Sequence, residues 1–205
     1  MAYLATWSTT SLPLEIVDIL ENDIKSFDKD VQDSKVSGQK VVKSIRNSKN
    51  AWIPTEHWIG GWIWYYVQKA NRENFLYDII DIDGGSLQYT HYDIGEFYNW
   101  HQDGDIDTAF QPRIGVSSTE NLGQDQVFAK GECVRKLSFA LQLSNPEDYR
   151  GGEVEFIDNS NKRFFAPKQR GTLIVFDSRT KHRVRKIKEG TRKSIVGWVV
   201  GPRWK

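Results

Sequence analysis

The sequence predicts a mainly β fold with N-terminal helices and a double-stranded β-helix, or jelly-roll, core. Two observations carry this. From Phe75 onward, short β-type runs recur between Gly, Asn and Asp turns, whereas before that point apolar residues repeat at helical spacing. Many short strands on such turns are the pattern of jelly rolls.

Taken in order, Leu14, Ile16, Val17, Ile19, Leu20, Ile24 and Phe27 follow Pro13 at near-helical spacing, with Ser11 a candidate cap, so a surface helix packs on the core. Residues 28–50 are polar and charged apart from 36–42, which fits a short strand. Thr55 is placed to cap a second helix. In it, Trp58, Ile59, Trp62, Ile63, Tyr66, Val67 and Ala70 make one apolar face, either core or an aromatic platform. Strands are expected at 75–83, 86–94, 97–102, 135–143, 153–157, 163–166 and 172–176. A final hairpin is expected around Lys188-Glu189-Gly190. Residues 104–132 lack strong periodicity, and a connection of that length is expected to be a functional lid or binding loop.

A chain of 205 residues buries one substantial core, and a barrel of this size need not be divided. We therefore expect a single domain over 1–205, with helical support over 1–74 and the β-helix over 75–205. The single cysteine, Cys133, excludes an internal disulfide and suits a reducing compartment. The chain starts Met-Ala-Tyr-Leu-Ala-Thr-Trp, without a basic flank leading into an apolar run, and the apolar stretch 58–67 is too short to span a bilayer. A cytoplasmic protein with no membrane association is the expectation. The net charge of +1 hides a segregation: 161–205 carries 14 Lys and Arg against 2 Asp and Glu, net +12, while the rest is −11. Either the last strands offset acidic helices in space, the reading preferred here, or the basic segment meets an acidic substrate or nucleic acid.

The chemistry concentrates in Tyr92-Asp-Ile-Gly-Glu-Phe-Tyr98-Asn-Trp-His101-Gln-Asp103. Strand side chains at i and i+2 leave the same face, so His101 and Asp103 can reach one ion. With His182 they make a 2-His-1-carboxylate face for iron, leaving positions open for an organic co-substrate and O2. His-x-Asp alone also fits ordinary surface polarity, and the tail adds the weight. In the expected hairpin Lys186 faces Arg192, which puts His182 and Arg192 on one face roughly 13 Å apart. A five-carbon diacid on the metal plus an extended arginine spans about that gap, so the guanidinium suits the far carboxylate of 2-oxoglutarate. Val184, Ser194, Val196 and Trp198 share that face, while Arg183, Arg185 and Lys193 point away. Tyr98 and Trp100 flank His101 and either wall the site or simply pack. Asp105 and Asp107 read as an acidic turn, and His57 and His91 as structural.

The run Leu87-Gln-Tyr-Thr-His-Tyr92 continuing to Asp103 resembles the metal-binding strand of Fe(II)/2-oxoglutarate oxygenases of the prolyl 4-hydroxylase type. The run from Arg135 to Gly151-Gly152-Glu153 resembles that family's next core strand and its Gly-Gly-Glu turn. His182, Arg192 ten residues on, and then Ser194 match the last motif. The resemblance spans about 46–198. It implies that His101, Asp103 and His182 ligate iron, that Arg192 binds the distal carboxylate of 2-oxoglutarate, and that Tyr92 and Ser194 belong to the co-substrate pocket. Some relatives carry a tyrosine for that carboxylate where this chain has Gln142, which either donates an amide hydrogen bond there or is a satisfied core glutamine. The activity implied is hydroxylation of a prolyl residue in a peptide or protein, using Fe(II), 2-oxoglutarate and O2, with ascorbate as a further cofactor, and releasing succinate and CO2. Nucleic-acid demethylases of the superfamily usually show a second arginine six residues past the first, where this chain has Trp198, which disfavours nucleic acid. The alternatives are an oxygenase acting on nucleic acid or a small molecule, a non-enzymatic metal-binding β-helix of the cupin kind, and a zinc hydrolase. The last two have no use for Arg192 at the far end of a co-substrate.

Overall fold

The computed structural model describes residues 6–9, 12–34, 43–111, 131–158 and 160–205. Ser11, the 36–42 stretch and most of the 104–132 connection lie outside the described residues. In chain order the elements are β1 (Thr6–Thr9), α1 (Leu14–Ile24), β2 (Gln32–Asp33), β3 (Arg46–Asn47), β4 (Lys49–Pro54), α2 (Trp58–Ala70), β5 (Asp81–Ile82), β6 (Ser86–Tyr92) and β7 (Phe97–His101). There follow β8 (Cys133–Gln142), β9 (Tyr149–Gly151), β10 (Val154–Ile157), β11 (Arg163–Phe165), β12 (Leu173–Asp177), β13 (Lys181–Val184), β14 (Ile187–Gly190) and β15 (Arg192–Pro202).

The large antiparallel sheet runs β1-β12-β8-β15-β6-β4-β2, with β5 also on β15, and the small sheet runs β11-β10-β13-β7-β3. Alternation along the large sheet separates two environments. Leu87, Tyr89, Leu137, Phe139, Leu141, Leu173, Val175, Ile195 and Val199 form one core with Val17, Leu20 and Ile24 of α1 and Ile59, Ile63 and Val67 of α2. The alternate residues Gln88, Tyr92, Ala140, Phe176, Arg192, Ser194, Val196 and Trp198 line a cavity together with residues of the small sheet. This is the double-stranded β-helix expected, with its helices on the large sheet.

Three local expectations are corrected. The final hairpin does not form: β13 pairs β7 and β10 in the small sheet, β14 pairs β9, and β15 lies between β6 and β8 in the large sheet. The chain crosses between sheets after Val184, because β15 has apolar residues on both faces and is stabilised by two long partners rather than one turn-linked neighbour. Thr55 is not the cap of α2. His57 holds that position, its Nδ1 accepting from the Ile59 amide at 3.5 Å, while Thr55 Oγ1 donates to the Gly85 carbonyl at 3.0 Å. Strand structure before Phe75 is also more extensive than the short run expected, since β4 pairs with Ser86–His91 of β6.

Candidate active site

β7 and β13 are adjacent, and their register sets His101 directly opposite His182, with ring centroids 4.1 Å apart. Asp103 follows just past the end of β7, where its backbone amide donates to the Ser178 carbonyl at 2.9 Å. Its two carboxylate oxygens stand 3.5 Å from Nε2 of His101 and 3.5 Å from Nε2 of His182, and ligand atoms of all three residues lie within 4.8 Å of one another. Two ligands each about 2.1 Å from an ion and at right angles sit about 3 Å apart, so these donors fit around one transition metal. Nδ1 of His101 donates to the Asn99 carbonyl at 2.7 Å and Nδ1 of His182 to the Thr180 carbonyl at 2.9 Å. A carbonyl only accepts, so each Nδ1 carries the proton and each Nε2 turns a lone pair toward Asp103.

Aromatic contacts hold these rings. Tyr98 stacks on His101 at 3.5 Å, and Phe176 and Phe156 flank His182 at 4.8 and 5.8 Å. Burial pushes His182 down to about 4, so the ring is neutral at pH 7, the form that ligates metal. Burial alone would raise the Asp103 carboxyl, but the His182 and His101 rings in their protonated form, together with the Ser138 hydroxyl, hold it well below the usual carboxylate range. Ser138 is itself hydrogen-bonded to Ser178 at 3.0 Å, and both serines are buried.

The cavity beside these residues encloses about 530 Å³, open mouth included. Arg192 enters it from the large sheet, opposite Tyr92 in the register and only 4% exposed. Its Nη1 reaches Ser194 Oγ at a long 3.5 Å, and among the described residues no carboxylate lies within ion-pairing distance of it. A buried guanidinium without an anion is costly, and a wall that keeps one is shaped for an anionic ligand. The structure therefore brings together His101, Asp103, His182, Arg192, Tyr92 and Ser194, although the two ends reach the cavity from opposite sheets rather than from one hairpin. Gln142 is not among the lining residues: its amide donates to the Ser144 carbonyl at 3.0 Å and to the Tyr149 phenol at 3.2 Å. Tyr98 walls the site, whereas Trp100 is half-buried outside the cavity lining and carries the Arg183 guanidinium at 4.6 Å. Arg46 also lines the cavity, with Nε donating to Ser48 Oγ at 2.9 Å. Nothing in the pattern around position 46 marked it, since its place depends on β3 pairing with β7.

A family model described as the 2OG-Fe(II) oxygenase superfamily matches residues 87–200, which include every residue of the triad together with Arg192. The chain belongs to this superfamily. Among curated relatives of this oxygenase, a PKHD-type hydroxylase of Parvibaculum lavamentivorans is 37% identical over 78 residues, 38% of this chain and 35% of the relative. A PKHD-type hydroxylase of Crocosphaera subtropica is 34% identical over 93 residues, 44% of this chain and 39% of the relative. The matched segments thus span little more than a third of those proteins. Among solved structures, a Pseudomonas putida prolyl-4-hydroxylase superposes with a TM-score of 0.67 at 20% identity, covering 95% of this chain and 91% of the other. A viral collagen prolyl hydroxylase from Paramecium Bursaria Chlorella virus-1, as its 2OG complex, gives 0.61 at 20% identity, with 96% of each chain covered. These superpositions establish the shared fold.

The serine pair behind Asp103 gives the oxygenase a testable support. In Ser138→Ala the carboxylate loses a buried hydroxyl that favours its ionised form, and affinity for Mn(II), measured by titration calorimetry, should fall about 10- to 100-fold with the fold intact. Wild-type affinity in this variant would show that the ligand needs no such support.

Proposed function

We propose that this chain is an Fe(II)- and 2-oxoglutarate-dependent dioxygenase that hydroxylates a prolyl residue in a peptide or protein. The observation that carries the reading is one cavity with a 2-His-1-carboxylate cluster on one wall and, on the other, a buried arginine that among the described residues has no carboxylate partner. His101, Asp103 and His182 hold the iron, and Arg192 with Ser194 and Tyr92 holds the distal carboxylate of 2-oxoglutarate. Bound there, the metal and co-substrate supply oxidation by O2, with 2-oxoglutarate leaving as succinate and CO2 while one oxygen atom goes to the substrate. The protein's part is positional. The carbonyls of Asn99 and Thr180 fix the histidine tautomers, Tyr98 and Phe176 exclude water from the rings, and Arg192 sets the orientation of the diacid.

Prolyl substrates are supported by the PKHD-type relatives and by two further prolyl hydroxylases of this fold. One of these, from Trichoplax adhaerens, was solved in complex with a hypoxia inducible factor peptide fragment and has a TM-score of 0.66 at 17% identity, covering 95% of this chain. We take residues 1–205 as one oxygenase domain and the protein as cytoplasmic. No helix among the described residues is long and apolar enough to cross a membrane, and Cys133 is buried and unpaired.

A panel of proline-containing peptides incubated with the protein, Fe(II), 2-oxoglutarate and ascorbate tests the substrate. A +16 Da product with matching succinate release is expected. Succinate release stimulated by a nucleobase or a free amino acid, with no modified peptide, overturns the peptide assignment.

A further inference from the structure

Tyr149 opens β9 and is 5% exposed, packed in an apolar cluster with Tyr92, Val184 and Ile187. Tyr92 and Val184 also line the cavity, so Tyr149, which is not itself a lining residue, packs directly behind its wall. One donor bonds the phenol oxygen and a cation lies beside it. Gln142 Nε2 donates to it at 3.2 Å, and the Arg192 guanidinium lies near enough for its charge to act on the phenol. An amide N–H only donates, so the phenol oxygen is the acceptor in this bond and its own hydrogen remains to be placed. Among the described residues none accepts it. The Gly151-Gly152 turn sets this geometry. At Gly152, with φ +65°, an added Cβ would stand 3.2 Å from Arg192 Cδ and 3.3 Å from Tyr149 Cε2, so the two side chains lie together against a residue that has none. Burial raises the Tyr149 phenol, which keeps it protonated and a donor.

Among the described residues, a buried O–H without an acceptor therefore lies beside a buried cation without an anion. One carboxylate, with lone pairs on two oxygens, satisfies both. Resting on the 2-oxoglutarate reading of the cavity, we propose that Tyr149 is a further arm of the anion clamp, its phenol donating to the distal carboxylate that Arg192 pairs with, and that Gln142 is the positioning residue that holds the phenol. Where some relatives carry a tyrosine at the position of Gln142, this chain places an amide there and brings the phenol in from β9.

The test is calorimetric titration of the Mn(II)-loaded protein, without oxygen, with two ligands: 2-oxoglutarate, and 2-oxopentanoate, which has a methyl group in place of the distal carboxylate. Tyr149→Phe should weaken 2-oxoglutarate about 10- to 100-fold, as for a lost hydrogen bond to a charged group, and leave 2-oxopentanoate unchanged. Gln142→Met should give a smaller loss, about 2- to 10-fold, again for 2-oxoglutarate alone. An equal loss for both ligands makes Tyr149 a packing residue, and unchanged 2-oxoglutarate affinity removes the contact; either overturns the proposal. Should Tyr149→Phe fail to fold, Gln142→Met decides by the same comparison. Failure of the wild-type protein to bind 2-oxoglutarate is a separate outcome, which overturns the reading of the cavity and this proposal with it.

Discussion

His182→Ala should abolish Fe(II)-dependent succinate formation, with His101→Ala and Asp103→Ala behaving alike. Each Nε2 is aimed at Asp103 by a carbonyl behind the ring, so the donors are preset and removing one leaves two protein ligands. The loss is compounded at Asp103, which is held ionised in a buried setting by its neighbours. Removing one partner of a buried charged group costs roughly 3 to 5 kcal/mol, on the order of 10^2- to 10^3-fold. Mn(II) affinity should therefore fall by at least about 10^2-fold in the same variants. Succinate release and calorimetric metal titration check this, with near-ultraviolet circular dichroism as the control for folding. Full turnover in His182→Ala would exclude the triad.

What the sequence could reveal depended on how local the physics was. His101 and Asp103 were legible because two residues of extended chain bring their side chains toward one point, a property of the strand itself. The helices α1 and α2 were legible from periodicity, though only their narrow stripes are buried: Leu14 and Ile19 are 51% and 54% exposed. The pairing of β13 and β15 was not legible. Both runs flank a Gly-containing turn, and nothing local says that the chain leaves one sheet for the other between Val184 and Arg192. The set of lining residues survived that error because face alternation holds whichever partner a strand takes. Positions such as Arg46 and Ser178, which serve the site only through β3–β7 pairing and the β12–β13 turn, carry no local signal.

The charge segregation has a similar explanation. Arg170, from the basic segment, is bonded to both Asp18, at 2.7 Å, and Glu21 of α1, so part of the C-terminal charge is offset by the N-terminal helix as expected. Other arginines are balanced within the small sheet, where Glu155, 3% exposed, takes Arg183 at 2.6 Å and Arg163 at 3.7 Å. Part of the asymmetry along the chain therefore becomes pairing in space.

Arg192→Ala should raise the 2-oxoglutarate concentration needed for half-maximal turnover by on the order of 10^2- to 10^3-fold, while metal affinity stays near wild type. The guanidinium is 4% exposed, has one long bond to Ser194 among the described residues, and comes from the sheet opposite His182, so on the proposed reading it would meet the far end of the ligand away from the ion site. The two functions then separate: the triad variants lose metal, and this one loses the diacid. A second readout follows from the missing anion. In the free protein the unpaired buried charge is a cost, so Ala at this position should leave the apo Tm little changed. The rise in Tm that 2-oxoglutarate gives the Mn(II)-loaded wild type should disappear, because stabilisation by a ligand scales with its occupancy of the folded state. Arg192→Lys should recover only part of the affinity, since an ammonium keeps the charge but not the planar fork that meets a carboxylate with two bonds. An unchanged requirement in Arg192→Ala would move the clamp elsewhere. Lys186 and Lys193 are then poor substitutes, because neither lines the cavity, and Lys193 instead borders a polar surface pocket with Asp18 and Glu21. Arg46, the other arginine on the cavity wall, would be the group to replace next.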